Sequence, residues 1–439
     1  MRILRDVETA RSTLLKRSPL EFQEASSSMK QRIKHIFGED LSPAQAVARI
    51  IAEVRSKGDL ALYEYAKSID GADLTSLEVD KEEISAAHTK VDRELLAALR
   101  LAADRIRSFH AMSKRQAWID FSEGGVGQVV RAIDRVGAYV PGGPAGYPST
   151  VLMTVIPAKV AGVRDVLLTT PSQTDGTIPP ATLVAAHLAG ADRVFKVGGA
   201  QAVAALAFGT ETIPKVDKIC GPGSIFVQLA KKAVFGAVGI DGLYGPTETV
   251  IVADESANTA VCAADILAQA EHDPLASAIL ITTSSQLATG VSNEVERQLK
   301  DLDRKDIAAA SLKEKGGIVI VDDMSKAIEL VNYYAPEHLC LLVRDAWSYL
   351  GKIENAGGIF VGESSPETLG DYIAGPSHVM PTAGTARFSS PLTVDDFLKV
   401  NSIIALDQEA LRSLGQAAAI IAKAEGFGAH ALAVTERLN

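Results

Sequence analysis

The sequence has 439 residues, of which 47% are hydrophobic and 22% charged, a composition typical of a globular protein with two or more domains. The formal charge of −10 argues against nucleic acid or an anionic membrane as a partner, because either would require a basic face. We find no secretory signal and no apolar run that would span a bilayer, so we expect a cytoplasmic enzyme.

The first part of the chain, to about residue 115, is predicted to be mostly helical. Ser18-Pro-Leu-Glu21 and Ser42-Pro-Ala-Gln45 both have the capping-box form with proline at the first helical position, so a helix should begin at each. The second of these helices should end at Gly58. A further helix is predicted after Asp92 from the spacing of its apolar residues.

After this helical region the pattern changes to alternating strands and helices. Short β-rich runs between 127 and 139 lead into a Pro/Gly loop that marks a domain boundary. Strands are then predicted at 165–170, 193–197 and 216–220, with helices after 179, at 200–208 and up to 235. This alternation predicts parallel βαβ units with helices on both faces of a sheet.

Two glycine-rich turns, 198–201 and 221–224, follow strands of this series. Backbone amides at a strand-to-helix turn can bind a phosphate, and the missing Cβ allows close approach. Neither turn is a complete GxGxxG fingerprint, so nucleotide binding and simple tight turns both remain open on this signal alone.

A second alternating series predicts a second α/β domain, with strands at 247–253, 278–282, 318–321, 338–343 and 358–361. Ligands in open parallel sheets collect beyond the carboxyl ends of the strands, and we place the loop after Val361 and the turn at 245–247 there. Beyond Pro391 the pattern predicts helices at 394–400, at 408–424 and from 429 onward. This tail is too short to build a core, so it must pack on its own subunit or on a partner.

The acidic and histidine residues suggest a site. Gln269 and His272 are three residues apart at the end of a predicted helix that Pro274 stops, so both would share one face and can hold a metal ion. The alternative is a histidine at the negative helix end and a solvated glutamine. Four histidines closely follow an acid, which favours a shared metal or acid/base site over separate surface contacts: Glu271-His272, Glu337-His338, Asp371 before His378, and Glu425 before His430.

The cysteines carry no comparable signal. Cys220, Cys262 and Cys340 are odd in number, lack CxxC spacing and lie in apolar runs. We predict reduced, buried core residues.

Nine short stretches are more specific: YVPGG (139–143), GGAQA (198–202), GPGS (221–224), GPTE (245–248), QAEHDP (269–274), APEHL (335–339), GDYIAGPSHVMPT (370–382), GTARFSSPL (384–392) and AEGFGAH (424–430). Together they resemble the histidinol dehydrogenase family, from about residue 30 to the end of the chain. The resemblance implies an α/β fold with two Rossmann-like domains with parallel sheets, helical N- and C-terminal segments, and an intertwined homodimer. The implied division is an N-terminal segment at 1–35, a first domain with zinc and catalytic loops at 36–135 and 249–390, an NAD-binding domain at 136–248, and a tail at 391–439 that reaches the partner.

The resemblance also implies roles for individual residues. One Zn²⁺ per subunit would be held by Gln269, His272, Asp371 and His430. The catalytic pair would be Glu337 and His338. The zinc ligands and His338 would contact the substrate together with Thr247, His378 and Glu425, and NAD would contact Tyr139, Gln201 and Ser224. Ser224 and Thr247 stand where the family commonly has Asn and Ser, and both keep a polar group.

The reaction implied by the resemblance is the oxidation of L-histidinol through L-histidinal to L-histidine, with two molecules of NAD. His338 would accept the alcohol proton, since an imidazole has a pKa near 7, and Glu337 would activate water for the aldehyde stage. Two alternatives are a related zinc and NAD dehydrogenase for another small alcohol, such as a sulfopropanediol, and a metallohydrolase. In a metallohydrolase the YVPGG, GGAQ and GPGS loops would have no role. A binding protein without activity is least consistent with the complete set of residues.

Overall fold

The computed structural model describes residues 1–17, 27–122, 124–143 and 146–438. Within these ranges the chain forms a six-stranded sheet and a five-stranded sheet, both parallel throughout, and a three-stranded antiparallel sheet. Helices pack around both parallel sheets, which confirms the predicted α/β class. Among the described residues, no helix is both long and apolar enough to cross a membrane.

The N-terminal region is helical, as predicted. Its elements are β1 (Ile3–Leu4), α1 (Val7–Ser12), α2 (Ser27–Phe37), α3 (Pro43–Lys57), α4 (Asp59–Tyr65), α5 (Lys81–Lys90) and α6 (Arg93–Met112). The predicted capping box at α3 is confirmed, because the Ser42 hydroxyl accepts from the Gln45 amide and the Gln45 side chain accepts from the Ser42 amide. Gly58 ends α3 with a φ of 58°, and Asp92 caps α6. The helix start predicted at 18–21 lies outside the described residues.

The five-stranded sheet is a doubly wound unit. The elements in this part of the chain are β2 (Trp118–Asp120), β3 (Gly125–Ala132), β4 (Arg135–Tyr139), α7 (Pro148–Ala161), β5 (Asp165–Thr169), α8 (Pro180–Ala189), β6 (Arg193–Phe195), α9 (Gly199–Phe208), β7 (Lys218–Cys220), α10 (Ile225–Val234) and β8 (Gly239–Ile240). The sheet order is β6-β5-β4-β7-β8, so the winding reverses between β4 and β7. Ligands bind at such a reversal, beyond the carboxyl ends of the strands.

The N-terminal helices cover this five-stranded sheet. Val47 and Ile50 of α3 share a core with Val203 of α9, and Leu99 of α6 shares one with Val151 of α7. The helices between residues 36 and 112, which were predicted to form one domain with residues 249–390, therefore pack on the five-stranded sheet. The domain boundaries themselves stay a prediction.

The six-stranded sheet repeats the doubly wound arrangement. Its region contains β9 (Glu248–Ala253), α11 (Thr259–Ala270), β10 (Ser277–Thr282), α12 (Ser285–Gln298), α13 (Lys305–Glu314), β11 (Gly317–Ile320), α14 (Met324–Tyr334), β12 (His338–Leu342), β13 (Gly358–Val361) and α15 (Glu367–Tyr372). The order is β1-β11-β10-β9-β12-β13, with the N-terminal strand β1 added at one edge. Every residue of β9, β10 and β12 is buried, as expected for strands covered on both faces. Cys220, Cys262 and Cys340 are free and buried, as predicted.

The C-terminal tail differs from its prediction at one point. The helix predicted at 394–400 is a short 3-10 turn, Val394–Phe397, followed by β14 (Leu398–Ala405), which pairs antiparallel with β3. The run contains Val400, Ile403 and Ile404, and β-branched side chains favour a strand when a partner edge is available. Two predicted helices follow, α16 (Gln408–Ala424) and α17 (Gly428–Leu438), and they pack against each other.

Candidate active site

Two cavities meet at the loop that follows β7. The first, the histidine cavity, has a volume of about 750 Å³ and is lined by Thr247, His272, Glu337, His338, Asp371 and His378. The second, the glycine cavity, has a volume of about 790 Å³ and is lined by Tyr139, Gly142, Gly199 and Gln201. Ser224 lines both cavities, so molecules bound in the two would be adjacent there.

The histidine cavity lies at the amino edge of the six-stranded sheet. Thr247 and Glu337 immediately precede β9 and β12, and His338 is the first residue of β12. The prediction that the turn at 245–247 lies at the carboxyl ends of these strands is therefore wrong. The carboxyl-edge rule holds for the other sheet, because Pro222 and Gly223, which follow β7, line the same cavity. The cavity is formed by opposite edges of the two sheets.

Glu337 is a buried carboxylate with fixed orientation. Its Oε2 accepts hydrogen bonds from the Thr247 hydroxyl, at 2.6 Å, and from the Glu248 amide, at 2.9 Å. Burial raises the pKa of Glu337 to about 7, although the charge on His338 and the two hydrogen bonds oppose the shift. A carboxylate with this pKa can exchange protons near neutral pH.

His338 joins Glu337 to Asp371. Its Nδ1 lies 3.1 Å from the Glu248 carbonyl oxygen and 3.6 Å from Glu337 Oε2, and its Nε2 lies 3.3 Å from Asp371 Oδ1. Burial disfavours charge on this ring, but the Glu337 charge and the Asp371 hydrogen bond outweigh burial and raise the pKa of His338 to about 10. In this arrangement the proton of the pair resides on His338, whereas a pKa near 7 was expected from the sequence.

His272 lines the histidine cavity and Gln269 is buried behind Thr247, but the two do not share a helix face as predicted. The helix α11 ends at Ala270, and His272 lies in the turn beyond it, with its amide 3.3 Å from the Gln269 carbonyl oxygen. Glu271 is the C-cap residue, and its amide makes the last helical bond, to the Leu267 carbonyl oxygen. Gln269 is 1% exposed, and its Nε2 donates to the Thr247 hydroxyl at 2.7 Å.

His272 and Asp371 are in the protonation states that a metal cation needs. Burial lowers the pKa of His272, with the nearby Asp371 charge opposing, so the ring is neutral and has a lone pair to donate. Burial also disfavours charge on Asp371, but the hydrogen bond and charge of His338 hold the pKa of Asp371 below its usual value. The pair therefore offers one imidazole and one carboxylate.

His378 is held by Asp371 and by a residue that we did not predict. Its Nδ1 lies 2.7 Å from the Asp371 carbonyl oxygen, and its Nε2 lies 3.2 Å from the hydroxyl of Thr150. Thr150 stands near the start of α7, directly after the Pro/Gly loop. In the sequence, the only sign that Thr150 belongs to the site is its position shortly after the YVPGG loop.

Glu425 and His430 are not brought to the cavity by this chain. Both are exposed, Glu425 at the end of α16 and His430 in the first turn of α17, and neither lines the histidine cavity. Within the described residues, no three His, Cys, Asp or Glu side chains form a group suited to a metal ion. One chain therefore places His272 and Asp371 at the histidine cavity, with Gln269 bonded to Thr247 in its wall, but it does not bring His430 there.

The glycine cavity contains the residues predicted for NAD. The Gly199 amide, at the first residue of α9, donates to the Tyr139 hydroxyl at 3.2 Å. Gln201 is 1% exposed, and neither polar atom of its amide has a partner among the described residues. A buried, unpaired amide costs stability unless a ligand satisfies it, so Gln201 marks a polar contact point.

Known proteins show strong similarity to this chain. The family model for histidinol dehydrogenase matches residues 38–438. A histidinol dehydrogenase from Dehalococcoides mccartyi (strain CBDB1) is 52% identical over 100% of both chains, and one from Clostridium acetobutylicum is 50% identical over 90% of this chain and 92% of its own. The crystal structure of histidinol dehydrogenase from Elizabethkingia anophelis superposes with a TM-score of 0.92 at 37% identity, covering 100% of this chain and 98% of the other.

The chain belongs to the histidinol dehydrogenase family. It is accordingly an oxidoreductase of histidine biosynthesis, as the motifs implied. The relatives named above are all histidinol dehydrogenases by name and match nearly the whole chain. They therefore give no support to a dehydrogenase of another small alcohol or to a metallohydrolase.

Two buried carboxylates near the site, Glu248 and Glu367, were not predicted from the sequence. Glu248 pairs with the Arg17 guanidinium, and its backbone carbonyl orients His338. Glu367 accepts from the Thr249 hydroxyl at 2.7 Å beneath the cavity, and burial raises its pKa to about 7. The GPTE motif contains Glu248, but sequence patterns carry no signal that its carboxylate would turn toward the N-terminal segment.

Proposed function

We propose that this enzyme oxidises L-histidinol to L-histidinal and then to L-histidine with two molecules of NAD, using Glu337 and His338 as its proton-transfer pair and Zn²⁺ as its metal. The observation that carries the proposal is the buried carboxylate–imidazole pair, which opens onto a cavity beside His272 and Asp371. Ser224 places the glycine cavity next to that pair. Hydride transfer needs this proximity of substrate and nicotinamide.

The residues present fit a zinc ion. His272 supplies a neutral imidazole, Asp371 supplies an ionised carboxylate, and both ligand types suit zinc. The Nε2 of Gln269 donates to Thr247, which leaves the amide oxygen as the atom to face the ion. Zinc at these residues would hold and orient the substrate, with Lewis-acid assistance as a further contribution.

Asp371 connects metal binding to the proton-transfer pair. Its Oδ1 now lies 3.3 Å from His338 Nε2, and that hydrogen bond helps to raise the pKa of His338. If Asp371 is used as a ligand, His338 loses part of this support, so its pKa falls and it can accept a proton from the substrate hydroxyl. NAD, when bound, takes the hydride.

The second oxidation requires water. Glu337 lies deep in the cavity and is held by Thr247 and the Glu248 amide, so its orientation is fixed before substrate arrives. With a pKa near 7, the carboxylate can remove a proton from water as that water adds to the aldehyde. His338 returns the proton of the first oxidation to the aldehyde oxygen as the hydrate forms. It then accepts a hydroxyl proton of the hydrate as the second hydride leaves. Glu337 and His338 thus act at different stages.

The tail supports a homodimer with composite sites. The pair of helices α16 and α17 exposes Leu414, Ile420, Ile421, Phe427 and Leu432, each more than half exposed. Several large apolar side chains exposed on one short segment favour its burial against a partner. In the proposed dimer this tail reaches the neighbouring subunit and adds Glu425 and His430 to its site. We place the enzyme in the cytoplasm.

A mixture of two inactive variants tests the composite site. Homodimers of His272→Asn and of His430→Asn should each be inactive, whereas mixed dimers should regain activity because one of their two sites is intact. With random exchange, about half of the dimers are mixed, so activity should return toward roughly one quarter of the wild-type value. Activity and subunit exchange are measured on the same sample. Complete exchange without returning activity would contradict the crossed tail.

The stoichiometry of NADH tests the function itself. With limiting L-histidinol, absorbance should report two NADH for each substrate molecule, because the aldehyde is oxidised before release. One NADH per molecule would mean that the enzyme oxidises only the alcohol to the aldehyde. No NADH would refute the proposed use of NAD.

A further inference from the structure

Asp70 is a carboxylate in the glycine cavity that the proposed chemistry does not use. It ends the π-helical turn Ala66–Asp70, is half-buried, and lines the cavity together with Arg32. Burial raises the pKa of Asp70 to about 6, with the Arg32 charge opposing, so the group is still ionised at neutral pH. A half-buried negative charge in a cavity that should hold an anionic dinucleotide requires an explanation.

Asp70 lies close to the loop where doubly wound folds usually carry an acid that binds the ribose of a dinucleotide. Such folds usually place this acid after the second strand, which here is β5. The residues that line the cavity after β5 are Pro171, Ser172, Gln173 and Thr174, none of them acidic. Asp175 is occupied, since its Oδ1 accepts from the amide and hydroxyl of Thr177. Asp70 comes to this loop from the helical layer, because a Cβ on Gly71 would lie 3.5 Å from Thr174.

The residues along the glycine cavity indicate where each part of a dinucleotide would bind. Ser224 is shared with the histidine cavity and marks the nicotinamide end. The amino end of α9, which begins at Gly199, suits the diphosphate, because the first amides of a helix have no acceptor within the helix. Tyr139 is bonded to the Gly199 amide, and burial together with the nearby Asp70 charge raises the pKa of Tyr139 to about 12. Apolar side chains from α2 and α3, Ile33, Phe37 and Ile50, line the cavity and suit the adenine ring.

We infer that Asp70 accepts hydrogen bonds from the ribose hydroxyls of the adenosine half of NAD and repels a 2′-phosphate, so that it selects NAD over NADP. This inference rests on the proposed use of NAD. Arg32 donates from Nη2 to the Ile69 carbonyl oxygen at 3.1 Å, so a guanidinium stands beside the carboxylate. With the Asp70 charge removed, Arg32 would favour the phosphate that Asp70 now excludes.

The test compares the two nucleotides in Asp70→Asn, both by equilibrium binding to the enzyme without substrate and in turnover. The ratio of the Kd for NADP to that for NAD should fall together with the kinetic ratio. The ratio of kcat/KM for NAD to that for NADP should fall about 10- to 100-fold, through KM more than kcat, because a charge-assisted hydrogen bond is lost and a repulsion is relieved. Asp70→Ser is the second variant should the first not fold. Asp73→Asn is the matched control, since Asp73 is exposed, pairs with Lys67 at 3.3 Å and does not line the cavity.

The experiment distinguishes failure of this inference from failure of the proposed function. If the wild type forms NADH from histidinol but Asp70→Asn or Asp70→Ser keeps its preference for NAD, or changes it only as much as Asp73→Asn does, the role of Asp70 is refuted and the function stands. If the wild type reduces neither nucleotide, the proposed use of NAD fails, and this inference fails with it.

Discussion

Glu337→Gln should slow the oxidation of histidinal by a factor of about 10² to 10⁴, the usual contribution of a general base. The substitution keeps the size of the side chain and its hydrogen bonds with Thr247 and the Glu248 amide, but it removes the carboxylate that accepts the proton of water. The alcohol-to-aldehyde half-reaction should change far less, because His338 is the base there.

A single-turnover experiment with NAD separates the two half-reactions. L-Histidinol reports the first hydride transfer, and L-histidinal supplied as substrate reports the second. His338→Asn is the comparison, since it should damage both halves. Equal losses in both halves for Glu337→Gln would refute this division of labour, and would instead mean that the carboxylate mainly orients His338 or the substrate.

Removal of the metal should abolish turnover, and zinc should restore it. His272→Asn should lower zinc content and activity together, because the imidazole is replaced by an amide that binds zinc weakly. The measurements are metal content after dialysis and NADH formation, made on the same preparations. His187→Asn is a suitable control, since His187 is exposed on α8, hydrogen-bonds His88 and does not line the histidine cavity.

Two results would contradict the assignment of His272 as a zinc ligand. A His272→Asn variant that retains full zinc content and full activity would exclude His272 as a ligand. A variant that retains zinc but loses activity would also contradict the assignment, since it would place His272 at the substrate and not at the metal.

Local signals predicted most secondary structure because local interactions decide it. The capping box at Ser42, the glycine at position 58 and the alternation from β4 to β13 all appear as predicted. The predicted helix at 394–400 was wrong because β3 offers an unpaired edge, and a strand partner more than 260 residues away in sequence cannot be seen in a local pattern.

Sequence motifs by themselves determined the family, the candidate residues and the α/β class, since each depends on residue type and spacing. Only the tertiary structure decided that Thr247, Glu337 and His338 lie at the amino edge of one sheet, facing loops from the carboxyl edge of the other. Only it decided that Thr150 holds His378, that Asp70 reaches the glycine cavity, and that burial moves the pKa of Glu337 toward neutrality. These properties depend on distance and solvent exclusion between segments far apart in sequence, which no local pattern encodes.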